Sequence, residues 1–245
     1  MRYLLACSVI VVIAAVIYIA ALEKKDVTYQ VLKVAPDSVE LVWTDSNGEQ
    51  LRTFPAAAKY LKETGRTPLA LMNGGIFEPS EIPSGLLVQS NEVLRPVNRR
   101  EGSGNFYLKP NGIFLVGSQG AAVIATGEWP PEGVDVRCAV QSGPLLLRHG
   151  KVHPQFNADS NSRLIRNGVG VTKEGEVVLI VTDSESTKLP NLYEFAQQFK
   201  RLGCDDALFL DGNVSQMRSG PDLEKPSNRF GSIVAVIEAK SKTSE

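Results

Sequence analysis

Carboxylates, amides and hydroxyls stand directly behind apolar runs at four points of this chain, and that placement gives them a claim to chemistry. The plainest case is Ala207 to Arg218, A-L-F-L-D-G-N-V-S-Q-M-R, where Leu208, Phe209 and Leu210 lead into Asp211 and Gly212, with Asn213, Ser215 and Gln216 behind them. An ionised carboxylate at the end of a buried strand costs solvation unless it is paired or at work. Asp211 is therefore the first candidate for carboxylate chemistry. Gly212 permits a tight turn that brings amides close to a ligand, although an ordinary Asp-Gly turn would be spelled the same way. The other three runs are Leu69 to Met72, ending in Asn73-Gly74-Gly75; Val136 to Val140, ending in Gln141-Ser142-Gly143-Pro144; and Val177 to Thr182, ending in Asp183-Ser184. Arg163 and Arg166 add cations just before Gly168-Val169-Gly170. Sites in sheet proteins commonly gather at strand ends and the loops that follow.

Those candidates need strands to hold them, and the pattern supplies them. Val27 to Phe54 alternates apolar and polar residues around Ser46-Asn47-Gly48 and reads as a β-hairpin. Pro55 to Glu63 reads as a short helix stopped at Gly65. Val177 to Thr182 is apolar and β-branched throughout, as expected of a strand covered on both faces. Pro190, then Leu192, Phe195, Ala196, Phe199 and Leu202 at helical spacing, then Gly203, mark an amphipathic helix leading into the Asp211 strand. Ile233 to Ile237 is the last strand. Strands outnumber helices and most links are short, so the expected fold is α+β: a single domain with a largely antiparallel mixed sheet packed by a few helices.

The chain has 245 residues, 26 Lys plus Arg against 27 Asp plus Glu, and a formal charge of −1. No global field draws in nucleic acid, and nucleic acid is not an expected partner. Tyr3 to Leu22 is uncharged and mostly apolar, about the length of a membrane-spanning helix. Residues 1–25 are therefore expected to form an N-terminal hydrophobic helix, either a signal anchor that ties the chain to a membrane or a cleaved signal peptide that releases it. The folded domain is expected over 26–238, outside the cytoplasm, with a disordered charged tail at 239–245. Cys138 and Cys204 are the two cysteines of the soluble part; a disulfide and two buried thiols are both consistent with the sequence. His149 and His153 share no helix face that would make a metal pair. Ser142 lacks the Gly-x-Ser-x-Gly elbow of a serine hydrolase. No cofactor is called for, a divalent cation between Asp183 and Asp211 being the one alternative.

The same strand ends resemble the phosphodiester glycosidase family, in order, from about Leu69 to Ile237. Asn73-Gly74-Gly75-Ile76-Phe77, Pro83-Ser84-Gly85-Leu86, Ser142-Gly143-Pro144, Arg166-Asn167-Gly168-Val169-Gly170, Asp183 and Leu210-Asp211-Gly212 carry the resemblance. Asn213 and Val214 stand where many members have two further glycines. The resemblance implies a hydrolase that cleaves a sugar-phosphodiester at its anomeric carbon and so takes a glycan or sugar-phosphate substrate. It implies Asp211 as base or nucleophile, Asp183 as a second carboxylate, and Arg166 as a phosphate clamp with Arg163 in reserve. Asn73, Ser142 and Ser215, with amides near Gly74, Gly75, Gly143 and Gly212 and the neighbouring Asn213 and Gln216, would hold sugar or phosphate oxygens. The alternative is a glycan-binding module without turnover.

Overall fold

Alternating apolar positions organise the chain into three antiparallel sheets around a common core. The computed structural model describes residues 27–238. The N-terminal segment, with Cys7 in it, and the charged tail lie outside the described residues. The first sheet runs β1 (Tyr29–Val34), β14 (Val177–Thr182), β13 (Asn167–Thr172), β15 (Cys204–Asp211), β11 (Leu145–Arg148) and β12 (Lys151–Val152). The second runs β7 (Glu92–Arg95), β6 (Leu87–Gln89), β10 (Val136–Ser142), β8 (Gly112–Gly117) and β9 (Gly120–Ala125). The third runs β16 (Met217–Ser219), β3 (Pro68–Asn73), β17 (Ile233–Ile237) and β2 (Val39–Val42), and β4 (Phe77–Glu78) pairs with β5 (Ile82–Pro83) on its own.

All three sheets turn one face inward. Val39, Met72 and Val234 from the third, Phe114 and Val140 from the second, and Val169, Leu179 and Leu208 from the first form one buried cluster. The opposite faces of the third and first sheets take the helices. Helix α1 (Phe54–Glu63) lays Phe54, Ala57, Ala58 and Leu61 on Leu71, Ile233 and Ala235 of the third sheet. Helix α2 (Leu192–Arg201) lays Phe195, Ala196 and Phe199 on Val178, Ile180, Ala207 and Phe209 of the first. β14 is thus covered on both sides, as its unbroken β-branched run requires. Asn191 caps α2: its side chain accepts from Glu194 N at 2.9 Å while the Glu194 carboxylate accepts from Asn191 N at 3.2 Å. Such a reciprocal cap contributes about 1 kcal/mol. The glycines of β13 serve this packing. A Cβ on Gly170 would lie 2.7 Å from Phe199 Cδ1 and Cys204 Sγ, and one on Gly168 2.7 Å from Leu208 O.

The structure corrects the sequence reading in two respects and decides between its alternatives in a third. The fold is mostly β with two α-helices among the described residues, and every ladder is antiparallel, so the sheets are not mixed. The reason lies in the crossovers. Helices α1 and α2 connect β2 to β3 and β14 to β15, pairs that run parallel to each other, but β17 and β13 insert between them and convert each parallel neighbour into two antiparallel ones. Nor is Val27 to Phe54 one continuous hairpin: only its tip pairs, Thr44 with Gln50 around Ser46-Asn47-Gly48. Pro36 interrupts the run in a short 3₁₀ turn at Pro36–Ser38, after which β1 joins β14 and β2 joins β17. Finally, Cys138 and Cys204 are both free and buried, Cys138 in the central core and Cys204 under α2.

Gly170→Ala tests the helix packing. The added methyl meets Phe199 with no open side to move into, and overpacking of this kind costs roughly 1–3 kcal/mol. Urea denaturation should show that loss, and a neutral result would mean that α2 does not press on β13.

Candidate active site

Antiparallel pairing brings the polar strand ends to one pole. In the first sheet Tyr29 faces Thr182, and Asn167 faces both Val181 and Asp211. In the second Ser142 faces Gly112, and in the third Asn73 faces Ile233. Asn73, Ser142 and Asn167 are each at most 1% exposed, and they bond across the sheets. Asn167 Nδ2 donates to Asn73 O at 2.6 Å and lies 3.2 Å from Asn73 Oδ1. Ser215 Oγ donates to Asn167 Oδ1 at 3.1 Å, and Gln216 N to Asn73 Oδ1 at 2.9 Å. Ser142 Oγ donates to Leu210 O at 2.7 Å and accepts from Ile76 N at 3.3 Å. These side chains hold three sheets in register beneath the pole.

Asp211 sits where the ladder slips. β15 places Leu210 and Asp211 opposite the single residue Asn167, a β-bulge of the kind that re-aims a side chain. Its Oδ1 accepts from Gly212 N at 2.7 Å; its Oδ2 is shielded from solvent and has no partner. Burial raises its pKa from 3.8 to about 6, against the smaller opposing pull of the Gly212 amide. Gly212 has no positive φ and nothing within 4 Å of where a Cβ would be. The turn does not need glycine for its backbone, and a side chain here would extend into open space.

Arg166 is 1% exposed and lies 5.6 Å above the Phe209 ring. Nε donates to Pro190 O at 3.1 Å, Nη2 to Ser162 O at 2.8 Å, and Nη1 is buried without a partner. No carboxylate pairs with it among the described residues. Burial lowers its pKa to about 10, so it remains a cation at neutral pH. Tyr29 nearby is pushed up to about 12 by burial and then by the Glu194 carboxylate. The guanidinium fork faces two backbone carbonyls, which leaves Nη1 rather than a free pair of nitrogens for a ligand.

The remaining candidates divide. Asp183 is half-buried and turned to its own loop, Oδ1 accepting from Glu185 N at 3.0 Å. Because β13 separates β14 from β15, two strand spacings, roughly 10 Å, lie between the backbones at Asp183 and Asp211. Arg163 is exposed and closed in a bidentate pair with Glu194 at 2.6 and 2.8 Å. Gly74, Gly75 and Gly143 are buried at close approaches: a Cβ would strike Ser232 Oγ, Gln141 O or Asn111 Cβ respectively. Asn213 is exposed, and Ser215 and Gln216 line a narrow cleft of about 50 Å³ beside Thr182 and Arg218. Sequence reasoning missed Asn167 as the centre of the network and Ser232, whose Oγ is buried without a partner. Three of the seven such atoms among the described residues, on Asn73, Asp211 and Ser232, lie at this pole, while that of Arg166 lies among Ser162, Pro190 and Phe209 on the α2 side of the first sheet. Unpartnered buried polar atoms are rare in folded proteins, which makes this pole the candidate site. The metal-competent groups that come together, His149, Asp205 and Asp206, lie at the opposite end of β15, and Asp206 Oδ1 already accepts from Arg148 and His149 N.

The Asp211 environment sets a pH dependence. A carboxyl whose folded pKa of about 6 exceeds its unfolded value stabilises the fold fully only below about pH 4, and that stability is lost as pH rises through about 6. Asp211→Asn, which cannot ionise, should therefore be more stable than the unaltered chain near pH 8, by about 2–3 kcal/mol, and should lose that advantage near pH 4. Urea titrations at both pH values check this; an equal difference at both would contradict the raised pKa.

Comparison with known proteins locates the chain. The profile of the phosphodiester glycosidase family matches residues 67–236. The Escherichia coli protein YigE, described as uncharacterized, is 32% identical over 219 residues, covering 88% of this chain and 84% of that protein. The catalytic domain of zebrafish N-acetylglucosamine-1-phosphodiester alpha-N-acetylglucosaminidase, auto-inhibited by its pro-peptide, has a similar fold: TM-score 0.62 at 15% identity, over 88% of this chain and 85% of that one. A putative exported protein of Burkholderia pseudomallei shares it at TM-score 0.53 and 14% identity, over 86% of this chain and 74% of that one.

Proposed function

Because the chain belongs to the phosphodiester glycosidase family, we propose that it hydrolyses the bond between an anomeric carbon and the phosphate of a sugar-phosphodiester, with Asp211 as its working carboxylate. The observation that carries this reading is the shielded, unpartnered Oδ2 of Asp211 at the convergence of the strand ends, in a carboxyl raised to about 6. A group of that pKa is mostly ionised at neutral pH, yet more basic than a solvated aspartate, which suits it to take a proton from water or to attack the anomeric carbon itself. The leaving phosphomonoester is a weak base and needs little protonation. What it needs is a positive field, and Arg166, fixed by two carbonyls and a Phe209 face, supplies a charge that does not have to be reorganised during the reaction. Asp183 has a lesser part, orienting sugar hydroxyls from the rim. No step calls for a metal.

Outside the cytoplasm is the proposed location, on the strength of the uncharged run from Tyr3 to Leu22. A second reading, a glycan-binding module without turnover, has one observation in its favour: among the described residues no neighbouring carboxylate acts on Asp211, whose pKa is shifted by burial and the Gly212 amide alone.

Release of sugar from a synthetic sugar-1-phosphodiester separates the two readings. Asp211→Asn should lower kcat by 10³-fold or more, on the order expected for loss of an essential base or nucleophile. Asp183→Asn should retain activity within about tenfold. Equal activity in the unaltered and Asp211→Asn proteins would remove Asp211 from the chemistry, and sugar-phosphate binding without any product would select the binding module.

A further inference from the structure

A cavity of about 480 Å³ opens at the same pole on the side of the second sheet, among Arg99, Arg100 and Lys109, with Pro110 and Ala125 as an apolar floor. Its volume lies within the range of small-ligand sites. Ala125 pairs with Gly112, and Gly112 with Ser142, the residue whose Oγ bonds Leu210 O beside Asp211. The cavity floor is thus two strand spacings, roughly 10 Å, from Ser142 along one row of residues.

Two of its three cations have no carboxylate partner among the described residues. Arg99 donates from Nη1 to Thr126 O at 3.1 Å and from Nη2 to Trp129 O at 2.7 Å, and Arg100 Nε to Asn98 Oδ1 at 3.3 Å. Neither guanidinium meets a carboxylate among the described residues, and Lys109 has only the exposed Glu101 at 3.4 Å. No carboxylate lines the cavity. The rim is also fixed in place. Gln141 accepts from Asn98 N at 2.8 Å and donates to Asn98 O at 2.7 Å, so the residue before Ser142 clamps the segment that carries both arginines. Guanidinium groups held by neutral acceptors keep their full charge for an anion, and phosphate is the group whose oxygens match two or three such donors.

We infer that this cavity is a second subsite, which holds a phosphate-bearing sugar unit in the leaving part of the substrate, the apolar floor taking the sugar ring and Arg99, Arg100 and Lys109 the phosphate. Its role as a leaving-chain subsite rests on the phosphodiester glycosidase reading; its affinity for a sugar phosphate does not. The substrate class that follows is a chain of phosphate-linked sugar units, trimmed from an end that reaches Asp211 while a unit further along lies in the cavity.

Isothermal titration of the full chain with glucose 6-phosphate, and with glucose as its neutral counterpart, tests the subsite. Glucose 6-phosphate should bind at least tenfold more tightly than glucose, weaken with added salt, and keep its affinity in Asp211→Asn. The Arg99→Gln/Arg100→Gln variant should lose tenfold or more, and Lys109→Gln, which leaves the carbonyl bonds of Arg99 intact, should lose affinity in the same direction. Absence of binding, equal binding of glucose, or binding that both cation variants leave unchanged would overturn the inference. Binding through Arg99 in a protein that hydrolyses no sugar-phosphodiester would instead overturn the proposed reaction and leave the subsite standing.

Discussion

The pole depends on the hydrogen bonds that close it. Asn167 donates to Asn73 and so ties the first sheet to the third, and Ser142 donates to Leu210 and ties the second to the first. Both side chains are fully buried, where an unmade hydrogen bond costs roughly 1–3 kcal/mol, so the network makes any other register of the three sheets expensive. Register is what brings Asp211 and the glycine-rich ends of β3 and β10 to one place. The polar residues nearest the pole are therefore occupied in building it, and few of their atoms remain for a substrate.

The atoms that do remain have a common character. Asp211 Oδ2 and Arg166 Nη1 are charged, shielded and unpaired, and no ion pair joins their side chains. Each is destabilising in the free protein. A carboxylate is pushed towards protonation and a guanidinium towards deprotonation by the same loss of solvent. The proposed substrate carries a counterpart for each, a negative phosphate for a guanidinium and an electrophilic carbon for a carboxylate. The strain at the two groups has one physical origin, burial of a charge without a partner.

Much of this was legible in the letters. Apolar runs broken by Asp211, Asn73, Ser142 and Asp183 located the ends that converge, and Leu192 to Leu202 located α2. What the letters hid depends on distant partners. Nothing local says that β17 slips between β2 and β3, or β13 between β14 and β15, and those insertions are why the sheets are purely antiparallel. Gly168 and Gly170 carry part of the family resemblance, but glycine is ambiguous in sequence between close ligand approach and close packing, and Phe199 decides for packing. Arg163 looked like a spare clamp because Glu194, its partner, is 31 residues away in sequence. Asn167 was passed over because its importance lies wholly in what it reaches across the core.

The central claim is that one buried carboxylate, Asp211, does its work in the ionised form at a site whose electrostatics the three-sheet closure imposes. The pH dependence of kcat/KM on a sugar-1-phosphodiester tests it most directly, since that ratio reports titration in the free protein. The account predicts an ascending limb with its midpoint near the carboxyl's value of about 6 and a plateau above it. A midpoint near about 4, the value of a solvated aspartate, or a rate that falls as pH rises through that region, would contradict it.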